Sequence, residues 1–218
     1  FGHKGVEKLE NDSYRVRGGD YIARDYDIEP DVSAACYFYA LAAATGKRAM
    51  VKRMRKESLQ GDMKFISLLE KMGCTVSWEC DGRQNLWLKG PDGKLKGMEV
   101  KMSDFSDQAL TLAAIAPFAD SEVTIKGIAH IRGQESDRIK VIVDELAKMG
   151  ILCNELPDGV KIHPGTPKNT NIETYNDHRV AMSFAVTGLA GDGMTILNPM
   201  CCKKTFAGFF DEIDRLEE

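Results

Sequence analysis

The sequence predicts an α/β domain made of three copies of one unit, strand-helix-strand-helix-strand-strand, with its helices packed centrally and its sheets outside. Three observations predict it. That order of elements runs from about residue 25 to 90 and starts again over 97–163, with a third copy opening at 171 and reaching 218. Leu69-Glu70-Lys71-Met72-Gly73 and Leu146-Ala147-Lys148-Met149-Gly150 are near copies at the same place in the first two units, the mark of an internal repeat. The first helix of each unit is rich in small residues, with alanine-rich runs at 40–44 and 113–116, which lets helices approach one another closely.

The elements follow in order. Residues 1–24 are polar and punctuated by Gly18-Gly19, with one alternating strand at 13–17, and they read as the end of something else. A short strand at 25–28 leads to Pro30-Asp31, where Asp31 caps a helix over 32–44 that Gly46 ends. A strand at 47–51 and a basic loop (Lys52, Arg53, Arg55, Lys56) bring the chain to Ser58-Leu59-Gln60-Gly61-Asp62. From there a helix runs to Met72 with Phe65, Ile66, Leu69 and Met72 on one face. Residues 75–79 and 85–88 form a hairpin.

After the turn Gly90-Pro91-Asp92-Gly93, the second unit has a strand at 97–101 and Asp107 as cap of a small-residue helix over 108–119. A strand at 123–126, a helix from Arg138 to Gly150 and a hairpin of 151–155 with 159–162 complete it. The third unit is extended from 171 to 174, turns at Asn176 and is capped by Asp177 before the apolar run 180–190. A strand at 194–197 and a last helix reaching Leu216 follow.

Charge at the helix starts carries the functional signal. The N-terminal end of a helix bears partial positive charge, so His178 and Arg179 in a first turn are unfavourable unless an anion joins them. Arg138, after Gln134-Glu135-Ser136-Asp137, repeats the arrangement, and Cys202-Lys203-Lys204-Thr205-Phe206 is expected to precede a third such helix. Three cationic helix starts suggest one polyanionic ligand. Taken singly, each cation is explained as well by solvation or by pairing with a nearby carboxylate.

Composition narrows the classes. With 218 residues, 43% hydrophobic and 28% charged, the chain suits one large or two small globular domains. A net charge of −4 argues against general nucleic-acid or membrane-surface binding, and no apolar run reaches membrane-spanning length. The six cysteines form no CxxC pair and the four histidines make no ligand-spaced set with Cys201-Cys202, so reduced thiols in a cytoplasmic protein, with no metal and no cofactor, are expected. Neither a GxGxxG nor a phosphate-loop motif is present; Thr45-Gly46-Lys47 lacks the surrounding residues. The chain opens at Phe1 rather than Met and is expected to be a fragment or a processed piece.

Nearly the whole chain resembles the enolpyruvyl transferases, and among them the C-terminal half of the 5-enolpyruvylshikimate-3-phosphate synthases. The resemblance rests on Asp31-Val32-Ser33-Ala34-Ala35-Cys36-Tyr37-Phe38, Leu59-Gln60-Gly61-Asp62, the Leu69 pentapeptide, Asp107-Gln108-Ala109-Leu110-Thr111, Glu135-Ser136-Asp137-Arg138, Tyr175-Asn176-Asp177-His178-Arg179 and Lys204-Thr205-Phe206, in that order. It implies an inside-out α/β domain of three βαβαββ repeats, one of two similar domains with helix N-termini facing the cleft between them. Residues 1–24 would be the tail of a missing N-terminal domain and 25–218 the C-terminal domain.

The implied reaction moves the enolpyruvyl group of phosphoenolpyruvate to a hydroxyl of shikimate 3-phosphate and releases phosphate. Arg138, Arg179 and Lys204 would bind phosphoenolpyruvate, Asp107 would be the base at the reacting hydroxyl, and Glu135 would transfer the proton at the methylene carbon. Asp107 as a plain cap and Glu135 as dipole compensation are compatible with those roles. His178 would orient Arg179 or touch substrate. Relatives commonly carry Lys where this chain has Gln134 and Asn where it has His130; Gln offers hydrogen bonds without charge, which loads the acid role onto Glu135. Both positions are counted as substrate-binding. A frequent Pro is replaced by Ala207, a structural difference. An enolpyruvyl transferase acting on UDP-N-acetylglucosamine and a non-catalytic module are the alternatives.

Overall fold

Residues 5–19, 22–79 and 84–216 are described by the computed structural model, and their elements repeat one order. β1 (Val6–Lys8) and β2 (Tyr14–Val16) pair antiparallel as a separate hairpin whose strand residues are all exposed. The strand expected at 13–17 is therefore present, paired with a strand that local pattern did not reveal.

In the first unit, Asp31 accepts the amides of Ser33 and Ala34 at the start of α1 (Val32–Thr45). β3 (Arg48–Val51), α2 (Met63–Lys71), β4 (Thr75–Glu79) and β5 (Asn85–Lys89) follow, and the sheet runs β3-β5-β4, antiparallel throughout. The strand expected at 25–28 does not form. Tyr26 and Ile28 alternate as a half-buried strand should, but both stay exposed, and Asp27 is drawn into ion pairs with Arg53 and Arg55.

The second unit comprises β6 (Glu99–Lys101), α3 (Ala109–Ile115), β7 (Val123–Lys126), α4 (Arg138–Lys148), β8 (Cys153–Leu156) and β9 (Gly159–Ile162). Its sheet runs β6-β7-β9-β8 with β6 parallel to β7, so β7-β9-β8 reproduces β3-β5-β4. The helix expected over 108–119 is shorter than that. Ser106–Gln108 and Ala116–Phe118 are 3-10 turns at its two ends, and Pro117, which lacks an amide hydrogen, cannot extend the α-helical ladder.

In the third unit β10 (Asn171–Ile172) lies parallel to β11 (Thr195–Ile196), as β6 does to β7, with α5 (His178–Ala190) between them. The 3-10 turn Pro199–Lys204 and α6 (Phe209–Asp214) close the chain's described part. The third cationic helix start is absent. Lys203 and Lys204 occupy the last turn of the 3-10 segment, where cations suit the dipole, and α6 begins instead with Asp211 and Glu212 in its first turn.

The repeated pentapeptides prove to be helix ends. The amides of Cys74 and Ile151 reach back to the carbonyls of Leu69 and Leu146, and those of Gly73 and Gly150 to Glu70 and Ala147. This double closure places Gly73 at φ +107° and Gly150 at φ +77°, a conformation that costs glycine nothing. Leu69, Met72, Leu146 and Met149 are fully buried, so one motif both ends the helix and anchors it.

Helices form the centre. α1, α3 and α5 pack on one another, every residue of α3 is buried, and Thr187 in α5 donates to the carbonyl of Ala114 at 2.8 Å. Helices apolar on all sides must be enclosed, while α2 and α4, apolar on one side, pack against the central helices and the strands of their own units. Small residues along α1 and α3 permit this close central packing, as the alanine runs implied. Among the described residues no helix is long and apolar enough to cross a membrane.

Candidate active site at the helix starts

Four segments converge at one end of the central helices: the 3-10 turn carrying Asp107, residues 134–138 opening α4, residues 175–179 opening α5, and Lys204. Asp177 is the hub. As N-cap of α5 it accepts the Arg179 amide at 2.9 Å, and it also takes Arg138 Nε at 2.8 Å, Arg138 Nη2 at 3.3 Å and the Ser136 hydroxyl at 3.0 Å. Asp177 is fully buried and Arg138 nearly so. Burial pushes the Asp177 carboxyl up, but the Arg138 guanidinium, the Arg179 amide and Ser136 outweigh it and hold it below the usual carboxylate range.

The turn that delivers Asp177 is strained. Tyr175 and Asn176 both lie in the left-handed region, at φ +53° and +56°, which costs a non-glycine residue about 1 kcal/mol or more. Tyr175 is held there by its hydroxyl, which donates to the buried Glu145 at 2.8 Å.

Asp107 bridges two guanidiniums: Arg179 Nη2 at 2.9 Å and Arg138 Nη1 at 3.4 Å. It does not cap α3, whose start has no side-chain cap at all, because its carboxylate is turned to the arginines. The arginine pair is thus presented by neighbouring helix starts, with Arg138 buried and Arg179 half-buried. Burial pulls the Arg179 guanidinium down, but Tyr37, Asp107 and Asp62 around it leave it raised and charged.

Glu135, exposed, is ion-paired with Lys204 and lies 3.4 Å from Nδ1 of His178. The hydrogen bond from Lys204, with the Lys204 charge, lowers its pKa, so it stands ionised. His178 is buried, and burial lowers its pKa against the pull of Asp177 and Glu135; a neutral imidazole also suits the positive end of α5. Its Nδ1 has no hydrogen-bond partner among the described residues. Gln134 accepts from Arg138 Nη1, and His130, exposed, bonds the Ser106 hydroxyl at 2.8 Å.

Glu135, Asp177 and His178 bring potential ligand atoms within 4.8 Å of one another. Their oxygens already serve Arg138, Ser136, Lys204 and the Arg179 amide, so a metal ion would enter a site lined with cations. The donor set fits an anion better. Cys201 and Cys202 lie beside it as buried free thiols, with Cys202 pushed up to about 12 by burial and by Cys201.

Seven of the eight residues singled out in sequence lie on these four segments; His130 stands apart on the 3-10 turn Ala129–Gly133 and meets Asp107's turn through the Ser106 hydroxyl. Sequence reasoning assigned Asp177 only a capping role; its second role as the carboxylate under Arg138 was hinted at by the cations crowded around it. It overlooked Glu145 as the anchor of Tyr175.

Helices inside, sheets outside and cations gathered at the helix starts define an α/β repeat domain of the enolpyruvyl transferase type. The family model described as EPSP synthase (3-phosphoshikimate 1-carboxyvinyltransferase) matches residues 2–213, and the chain belongs to that family. It is 44% identical over 217 residues to the 3-phosphoshikimate 1-carboxyvinyltransferase of Nostoc punctiforme, covering 98% of this chain and 50% of that protein. Over 206 residues it is likewise 44% identical to that of Trichormus variabilis, covering 94% and 47%. A solved EPSP synthase from Acinetobacter baumannii superposes with a TM-score of 0.81 at 27% identity, over 99% of this chain and 52% of the other. The chain therefore spans about half the length of the curated relatives it matches.

Proposed function

We propose that this chain is the C-terminal half of a 3-phosphoshikimate 1-carboxyvinyltransferase, acting in the shikimate pathway to aromatic amino acids. Joined to an N-terminal half, it transfers the enolpyruvyl group of phosphoenolpyruvate to a hydroxyl of shikimate 3-phosphate and releases phosphate. In this reading residues 1–24 belong to the N-terminal domain and 25–218 to the C-terminal one, in the cytoplasm. One observation carries it: Arg138 and Arg179, at the starts of α4 and α5, and Lys204, at the end of a 3-10 turn, converge with the carboxylates of Asp107 and Glu135.

Phosphoenolpyruvate competes with those carboxylates for the cations. Arg138 and Arg179 offer planar forks to its carboxylate or phosphate, and Lys204 adds a point charge. Once Lys204 turns to the ligand, Glu135 loses the interaction that lowers its pKa and can carry a proton. Glu135 protonates the methylene carbon, Asp107 takes the proton of the attacking hydroxyl, and the oxygen bonds to the central carbon. The tetrahedral adduct then returns a methyl proton to the Glu135 carboxylate as its carbon–oxygen bond to phosphate breaks, and the departing phosphate takes the proton held by Asp107. His178, neutral and against Glu135, orients it, while Gln134 and His130 hydrogen-bond the shikimate hydroxyls.

Electrostatic stabilisation of such an adduct needs donors from both walls of a cleft that excludes water, so the chain alone is inactive. The test mixes it with a separately expressed matching N-terminal half and measures phosphate release from both substrates. Release that depends on shikimate 3-phosphate, from the mixture and from neither half, is the expected result. Silence from a folded, associated mixture refutes the reading, and turnover by the chain alone refutes the division of labour.

A further inference from the structure

Asp62 stands where a helix cap belongs and does not act as one. It immediately precedes α2 and is of a type that ordinarily accepts the first free amides of a helix, yet its side chain makes no such bond. Its Oδ2 instead accepts the hydroxyl of Ser33, in the first turn of α1, and the amide of Gln108 at 2.7 Å. Gln108 passes the chain on, accepting from Thr111 Oγ1 at 2.9 Å, and Thr111 lies 3.4 Å from the Ser183 hydroxyl in α5. Gln108, Thr111 and Ser183 are sealed from solvent and Asp62 is only 8% exposed.

Buried polar groups are costly when unpartnered and rigid when satisfied, so this network ties α1, α3 and α5 together at one end. That end carries the candidate site. Gln108 adjoins Asp107 in the same 3-10 turn, and Ser183 lies one turn beyond Arg179 on α5. Asp62 and Asp107 also line one open cavity of about 400 Å³.

We propose that Asp62 and Gln108 are positioning residues for the transfer reaction: Asp62, through the Gln108 amide, holds the 3-10 turn so that the Asp107 carboxylate stays between Arg179 and Arg138. The word reaction rests on the function proposed above; the positional claim does not. A displacement of about 1 Å at a reacting group is enough to cost about a hundredfold in rate, so a loosened turn is read in turnover more than in binding.

The experiment uses the chain joined to its matching N-terminal half, with Asp62→Leu and the volume-conserving Gln108→Met. Each is expected to lower kcat at least about tenfold while KM for phosphoenolpyruvate stays within about twofold, because the anion-binding cations are untouched. The double variant should be no worse than either single one, and neither should add to the loss in an Asp107→Asn background. Asp62→Asn, which keeps an oxygen for both donors, should recover most of the loss. Additive losses, or a raised KM with unchanged kcat, overturn the proposal.

If the unsubstituted mixture releases no phosphate, the functional reading fails and the positional claim is decided on the chain alone. The backbone amide resonances of Asp107 and Arg179 should then shift together in Gln108→Met and return towards their original positions in Asp62→Asn. Resonances that stay in place in Gln108→Met overturn it.

Discussion

Replacing Asp177 by alanine removes four accepted hydrogen bonds and the buried carboxylate that faces Arg138. The bond to the Arg179 amide is a helix cap, worth about 1 kcal/mol by itself. The pair with Arg138 is another matter, since both side chains are buried and removal of one partner from such a pair costs about 3–5 kcal/mol. Arg138 keeps Asp107 at 3.4 Å and Gln134, so the lower end applies and the expected total is about 3 kcal/mol. Urea unfolding of the chain measures it. Asp177→Asn separates the two roles, because Asn caps as well as Asp but carries no charge.

The buried pair also sets a pH dependence. The folded pKa of Asp177 is depressed, so its contribution is complete above the unfolded value of about 3.9 and is lost as pH falls through the folded value. The stability difference between the parent and Asp177→Asn should therefore shrink in acid. A loss of only about 1 kcal/mol in the alanine variant with none in the asparagine one would reduce Asp177 to a cap. A difference that stays level from about pH 7 to about pH 2 would equally refute the buried pair.

Arg179→Ala in the joined enzyme should weaken phosphoenolpyruvate far more than shikimate 3-phosphate; equal loss for the two would place Arg179 elsewhere in the site. Glu135→Gln keeps an acceptor for Lys204 but cannot transfer a proton, so kcat should fall about 10²–10⁴-fold with little change in KM, and a loss under about tenfold would remove Glu135 from the chemistry. Gly150→Ala puts a side chain at φ +77° where only Lys168 is near, at ordinary contact distance, so the cost is conformational, about 1 kcal/mol by thermal unfolding. Lost stability of about 3 kcal/mol or more would mean that the helix end is held by packing that alanine disturbs.

Much of the architecture was legible because its causes are local. Asp31 and Asp177 cap α1 and α5 by bonds to amides two or three residues on, and helices end at Gly73 and Gly150 by bonds from each glycine three residues back and from the next residue five back. The pairings of 75–79 with 85–89 and of 153–156 with 159–162 follow from alternation. The same local rules failed where a distant group competed. Asp107 has a cap's sequence context, yet Arg179, 72 residues on, takes its carboxylate. Tyr26 and Ile28 alternate like a strand without a core face to meet, and Asp27 is held by Arg53 and Arg55. Lys204 follows a turn that begins at Pro199, which makes it a helix end rather than a start.

By itself, then, the sequence determined the repeat, the order of elements, the inward helices and the set of charged residues to watch, since composition and near neighbours decide these. Only the tertiary structure decided how those charges pair. Arg138 is 39 residues from Asp177 and 31 from Asp107, and the partner it takes depends on how α3, α4 and α5 bring their starts together. Coulomb attraction depends on distance and burial, and neither exists until the central helices pack.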